Sequence, residues 1–332
     1  MAGTTVSCPF DTMSSTALYA IRRLFLTVPV LVGMSIFVFA IIHLAPGDPV
    51  QAALGLSYSA HAAAILRHQM GLDQPVIQQY FTYMGNVLHG NLGQDLISHE
   101  PLSTLLSQRL PVTLELTVLS MGLAILIAVP LGVAAARRPG GALDRLTTGI
   151  TLLGISIPDF VLGTLLILLF AAVLNWLPPQ DFVPFSQSPG DNLRHIILPV
   201  VALALAEVAY IAQTTRASML ETLNQDYITF LRAKGIRESV VAYRHALRNA
   251  AVPVVTVIGV QFGTLLGGAI VVENVFSLPG VGKLVVDAVS TRNYPVVQGG
   301  TLVIALLFIL INLITDLLYT VLNPRIAYGG RA

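Results

Sequence analysis

Residues 216–250 read RASMLETLNQDYITFLRAKGIRESVVAYRHALRNA, and residues 251–275 continue AVPVVTVIGVQFGTLLGGAIVVENV. The first stretch sets six basic residues (Arg216, Arg232, Lys234, Arg237, Arg244, Arg248) against Glu221, Asp226 and Glu238. The second has a single ionisable residue, Glu273, and is long enough to cross a bilayer, which takes about 20 apolar residues. Within the basic stretch Tyr227, Leu231, Val240, Val241 and Leu247 interleave with the charges. That pattern predicts one or two short amphipathic helices, broken near Gly235. The same composition also fits a basic loop that merely follows the orientation rule for membrane proteins.

Working outward, the whole 332-residue chain is 55% hydrophobic and only 11% charged. A soluble domain carries about 25% charged residues, so much of this surface must face lipid. The net charge of +1 argues against a nucleic-acid partner. One cysteine, Cys8, leaves no disulfide framework and no thiolate metal site. The histidines, His43, His61, His68, His89, His99, His195 and His245, are scattered without ligand spacing, so no metal site is expected.

Apolar runs at 24–44, 112–136, 147–174, 196–213, 252–275 and 301–322 predict an all-α membrane protein of six spans. The third run exceeds a perpendicular crossing, which predicts tilt or a kink. Of the 18 lysines and arginines, 13 fall on the connectors that share a side with the N-terminus and 5 on the other connectors. Both termini are therefore expected in the cytoplasm. On this reading residues 1–20 form a poorly ordered cytoplasmic segment with no cleavable signal, and Met13 is a second candidate start. Residues 21–326 form the membrane domain, with an outer loop at 46–111 and a cytoplasmic segment at 216–250, and residues 327–332 form a short tail. In the outer loop, Asp73-Gln74-Pro75 reads as a helix start, with Val76, Ile77, Tyr80, Met84, Val87 and Leu88 as an apolar stripe behind it. A small helical cap on the outer face is expected. Gly259, Gly263 and Gly267 recur every four residues, which puts them on one helix face for close backbone packing, within the chain or, the favoured reading, at a subunit boundary.

Covalent chemistry finds no support. Gly280-Val281-Gly282-Lys283 resembles the end of a nucleotide loop, but Ser277 stands where a glycine belongs and Leu284 where a magnesium-binding hydroxyl belongs. Ser156, two residues before Pro158, lacks the glycine-flanked turn of a hydrolase nucleophile. Five acids lie in apolar runs, where ionisable groups are costly. Glu115, Glu273 and Asp316 are near span ends, where they can reach the interface or cap neighbouring helices. Asp159 is 12 residues into the third run and Glu207 is 11 into the fourth, about 17–18 Å deep at 1.5 Å per residue. Both are candidate translocation-path residues meeting a cationic group. The alternatives are that Asp159 re-satisfies a turn opened by Pro158, and that Glu207 hydrogen-bonds a neighbouring helix.

Motifs in order along 21–326 carry a resemblance. They include Arg22-Arg23, Leu44-Ala45-Pro46-Gly47-Asp48-Pro49, Gly71-Leu72-Asp73-Gln74-Pro75, Thr113-Leu114-Glu115-Leu116 and Gly154-Ile155-Ser156-Ile157-Pro158. Further on come Thr215-Arg216-Ala217-Ser218-Met219-Leu220-Glu221, Asp226-Tyr227-Ile228, Arg232-Ala233-Lys234-Gly235 and His245-Ala246-Leu247-Arg248-Asn249. Val272-Glu273-Asn274-Val275-Phe276, Pro279-Gly280-Val281-Gly282, Tyr294-Pro295-Val296-Val297-Gln298-Gly299 and Asn323-Pro324-Arg325 complete the set. The chain resembles an inner-membrane permease subunit of the ATP-binding-cassette (ABC) importers for dipeptides, oligopeptides and nickel. The resemblance implies the type I importer permease fold with a cytoplasmic coupling helix. It implies that Asp226, Tyr227, Arg232, Ala233, Lys234, Gly235, His245 and Arg248 serve coupling to an ATPase. It also implies a second permease, two ATP-binding subunits that hydrolyse ATP with magnesium, and an external substrate-binding protein, with no cofactor held by this chain. The sequence departs from the family at Thr229, Phe230 and Leu231, where members carry Arg-Thr-Ala. Arg248 stands where the generic motif has proline, with Pro253 coming later, as in the peptide branch. An acid at position 159 is also unusual.

Peptide import is the leading reading. The same machinery carrying nickel complexes, glutathione, opines or another small solute is the alternative. A carrier driven by an ion gradient through Asp159 or Glu207 is a distant one, disfavoured by the lack of an internal repeat.

Overall fold

A computed structural model describes residues 27–40, 43–44, 48–55 and 58–322. Over these the chain is helical: α1 (Thr27–Ala40), α2 (Pro49–Leu54), α3 (Ala60–Gln69), α4 (Val76–Leu88), α5 (Leu102–Arg137), α6 (Ala142–Ser156), α7 (Asp159–Val173), α8 (Pro189–Leu223), α9 (Asp226–Ala233), α10 (Glu238–Val275), α11 (Val281–Ser290) and α12 (Tyr294–Leu322). Among the described residues four helices, α5, α8, α10 and α12, are long and apolar enough to cross a membrane, and the α6–α7 pair, bent by 101°, makes a fifth if it is one span. Part of the first expected span, 24–44, lies outside the described residues, as do all of 1–20 and all of 327–332.

Three apolar clusters are strung along α5. At its start, Leu102, Leu105 and Leu106 pack with Val281 and Ala288 of α11 and Val296 of α12. Its middle, Val112 to Ala128, joins Ile196–Ala212 of α8 and Val254–Val272 of α10. At its end, Val133 and Ala136 join Met219, Leu223, Ile228, Val241, Ala246 and Ala250. The two ends of the molecule can therefore be called the α11 end and the α9 end. Because α5 and α8 both finish at the α9 end, the chain between them must return to the α11 end, and the bent pair makes that return. α8 is the central element: 67% of its apolar window is buried, against 28% for α12.

Small residues bring the backbones together. A Cβ at Gly132 of α5 would stand 2.7 Å from the carbonyl of Ala212, and one at Gly154 of α6 would stand 2.8 Å from that of Leu205. Such contacts replace the hydrophobic drive that lipid removes.

Helix lengths differ from the sequence expectation. α5 begins at Leu102 and carries Pro111 within it, so the last part of the expected outer loop 46–111 is helix. α8 begins at Pro189, where Ser188 Oγ caps the Asp191 amide. α10 begins at Glu238, 14 residues before its apolar run. At 1.5 Å per residue, α5 and α10 are each about 55 Å long and overhang a ~30 Å hydrocarbon layer. Polar first turns hide these extensions from a hydropathy count. The basic segment 216–250 is accordingly the end of α8, the free helix α9 and the start of α10, with the expected break at Gly235.

Candidate coupling surface and membrane acids

α9 ends in a Schellman turn. Gly235 sits at φ +74°, its amide donates to the Arg232 carbonyl (2.9 Å), and the Ile236 amide donates to the Leu231 carbonyl (3.3 Å). That conformation favours glycine because a Cβ would crowd the backbone. Leu231 and Ile236 then meet the apolar cluster at the α9 end, and Ile228 is fully buried in it. Asn249 Nδ2 donates to the Tyr227 hydroxyl at 2.7 Å, tying α9 to α10. With the apolar side thus anchored, Asp226, Arg232, Ala233, Lys234, Gly235 and Arg248 are all exposed, while Tyr227 and His245 are half-buried.

The exposed side is organised. Arg232 makes a bidentate pair with Glu238, Nη2 to Oε1 at 2.8 Å and Nε to Oε2 at 3.2 Å. These bonds push the Arg232 guanidinium pKa up, fixing its charge. Lys234 Nζ lies 4.4 Å from the ring centre of Phe230, itself 59% exposed. Phe230 stands at one of the three positions where the sequence departs from the resembled family, and it supplies that ring. Exposed Tyr243 adds a second aromatic. A ridge of fixed charges and aromatics over an apolar base can dock a protein; it holds no group arranged for covalent chemistry.

The structure also brings Asp159 and Glu207 into one region. Asp159 opens α7 directly after the Ile157–Pro158 elbow and lines a cavity of about 290 Å³ with Ile155, Pro158, Phe160, Ala206, Tyr210 and Gly268. Its Oδ2 would stand 3.0 Å from a Cβ at Gly268. Glu207, buried in α8, uses the Gln261 side chain of α10 as a partner, has Asp159 as an acidic neighbour, and keeps Oε2 without a hydrogen bond. The 101° elbow corrects the depth argument for Asp159, because counting 1.5 Å per residue holds only along a straight helix.

Gly259 and Gly263 seat α12 of the same chain: a Cβ at Gly263 would stand 2.7 Å from the Phe308 ring, and one at Gly259 would clash with Thr315. For these two the favoured boundary reading is corrected to internal packing. Gly267 is exposed, with nothing within 4 Å of its Cβ position.

One arrangement escaped the sequence reading, and a second, the capping expected of Glu273, gains its partners here. Asp144, in the first turn of α6, is buried, accepts from the Gly140 amide at 2.8 Å and forms a bidentate ion pair with Arg216 of α8. Glu273, fully buried, accepts from Thr113 Oγ1 at 2.6 Å and from the amides of Gly282 and Lys283 at the start of α11. A carboxylate thus occupies the spot where the rejected Gly280–Lys283 loop would have held phosphate. Among the described residues no three His, Cys, Asp or Glu side chains converge as metal ligands would.

Comparison with known proteins fits this architecture. The family described as binding-protein-dependent transport system inner membrane component matches residues 128–328, and the N-terminal part of such membrane components matches residues 17–117. The chain belongs to this family of ABC importer permeases. A probable peptide ABC transporter permease of Sinorhizobium fredii is 42% identical over 93% of this chain and 99% of that protein. A dipeptide transport system permease of Alkalihalophilus pseudofirmus and a glutathione transport system permease of Escherichia coli are each 43% identical over the same shares. A chain of the MetNI methionine ABC transporter, solved in inward-facing conformations, matches the fold with a TM-score of 0.53 at 21% identity, over 68% of this chain and 99% of that one.

As an ABC importer permease the chain is a multi-pass membrane protein of a transport family, working in general with ATP-binding subunits and a substrate-binding protein. This sets aside the ion-gradient carrier.

Proposed function

We propose that the permease forms half of a path carrying di- and oligopeptides into the cell across a bacterial inner membrane, paired with a second permease and driven by two ATP-binding subunits. The observation that carries this reading is the α9 ridge: a short helix fixed to the α5–α8–α10 base through Ile228 and Tyr227, with Arg232, Lys234 and Gly235 turned outward. An ATPase seated there, on the cytoplasmic side, would deliver its closure to α8 and α10 as a rigid displacement. ATP and magnesium then belong to the partner, and this chain holds no cofactor. Asp226, Ala233, His245 and Arg248 complete the docking surface. Asp159 and Glu207 face the path and meet the cationic end of the cargo, and exposed Gly267 packs on the second permease.

The test is to assemble the full transporter, identify the cargo of its cognate binding protein, and measure uptake with Glu207→Gln. Loss of a charged hydrogen bond worth about 1.5–3 kcal/mol lowers uptake of a cationic peptide about tenfold or more while assembly is kept. Unchanged uptake removes Glu207 from the path. Glutathione is a second reading, favoured by the 43% identity to glutathione permeases; a thiol tripeptide recovered from the binding protein decides for it.

A further inference from the structure

α4 presents an unusual surface. Its 13 residues, Val76 to Leu88, include no charged side chain and no buried residue. A helix this short is marginal in water unless a surface supports it. At 100° per residue its side chains divide into three arcs. One arc meets α1: the Tyr80 hydroxyl hydrogen-bonds Ser35 Oγ at 2.8 Å, and the rings of Tyr80 and Tyr83 lie 5.4 and 6.2 Å from that of Phe39. A second arc, Gln78, Thr82 and Asn86, is polar and exposed. The third holds Ile77, Phe81 and Leu88, exposed by 74%, 68% and 80%. The expected apolar stripe of this helix is thus split, with Tyr80 turned inward and Ile77 and Leu88 turned out.

We infer that α4 is an interfacial helix, its Ile77–Phe81–Leu88 face sunk among lipid acyl chains beside α1. Two observations select lipid over a protein partner. α4 packs on α1, itself an apolar helix, through Ser35 and Phe39, and α1 carries further exposed apolar side chains, Ile36 and Phe37, at 49% and 59%. And the polar arc offers only amides and a hydroxyl, which suit the headgroup level and give a protein partner no charge to pair with. Anchored this way, α4 fixes the height of the 46–111 segment against the bilayer. The inference is independent of what the permease carries.

The test uses the assembled transporter in bilayers, with Trp176→Phe alone and with Trp176→Phe plus Phe81→Trp, so that the difference in emission isolates the indole at position 81. Lipids brominated near the headgroup end of the acyl chain should remove about half of that emission or more, and aqueous iodide little of it. Gln78→Trp in the same background should show the reverse preference. Quenching at position 81 by iodide alone overturns the inference in favour of water. Shielding from both quenchers overturns it in favour of a covering protein.

Discussion

At the scale of single residues, Gly235 sets the shape of the α9 ridge. A Cβ there would touch nothing within 4 Å, so only its φ of +74° resists substitution. Gly235→Val should cost about 1–2 kcal/mol of local strain and leave the yield of the chain intact while cutting ATP hydrolysis stimulated by the binding protein; Gly235→Asn should be milder. Hydrolysis measured on the assembled transporter checks both. Glu273 is the opposite case, a residue of the interior. Glu273→Ala strands two amides of α11 and the Thr113 hydroxyl, about 1–3 kcal/mol for each unsatisfied group. A lowered unfolding midpoint in detergent is expected, with Glu273→Gln, which keeps an acceptor, in between. The sequence makes Gly235 legible because a glycine closing a basic helix has few other uses. It shows Glu273 as an acid near a span end, able to cap a neighbouring helix, but not which one; that helix is reached through a glycine turn, and no periodicity announces it.

At the scale of elements, the α10 glycines separate by what faces them. Gly263→Leu drives a side chain into Phe308 and should destabilise the isolated chain by about 1–3 kcal/mol through overpacking. Gly267→Leu should leave the isolated chain's melting unchanged and reduce recovery of the second permease in pull-downs. Equal effects of the two on melting would place Gly267 inside the fold. The four-residue spacing revealed a close-packing face but not its occupant, because that depends on where α12 returns. Hydropathy likewise located the cores of α5, α8, α10 and α12 yet missed their overhangs, since Asp191, Asn192, Arg194 and His195 open α8 with a polar turn. The kink expected in the third run is an elbow of 101° at Ile157–Pro158. Asp144 and Arg216, 72 residues apart, gave no local sign of pairing; their bond fastens the base of α6 to α8, just before α8 leads into α9.

At the scale of the whole molecule, the bundle has a rigid centre in α8 and an exposed ridge at one end. On the proposed function, a permease built this way transmits motion that its ATP-binding partners supply. The purified chain, alone in vesicles, should accumulate no solute against a gradient with ATP inside or out; adding its partner subunits should restore uptake. Accumulation by the chain alone would mean that it contains its own source of work. The ridge has one more consequence. Arg232, Lys234, Arg237, Arg244 and Arg248 are exposed within 17 positions of one another. A protease that cuts after basic residues therefore meets a dense set of exposed targets here. Limited trypsin digestion should nick the free permease between α8 and the middle of α10 and spare the assembled one, so that a two-fragment pattern on a gel reports how much of a preparation still lacks its motor.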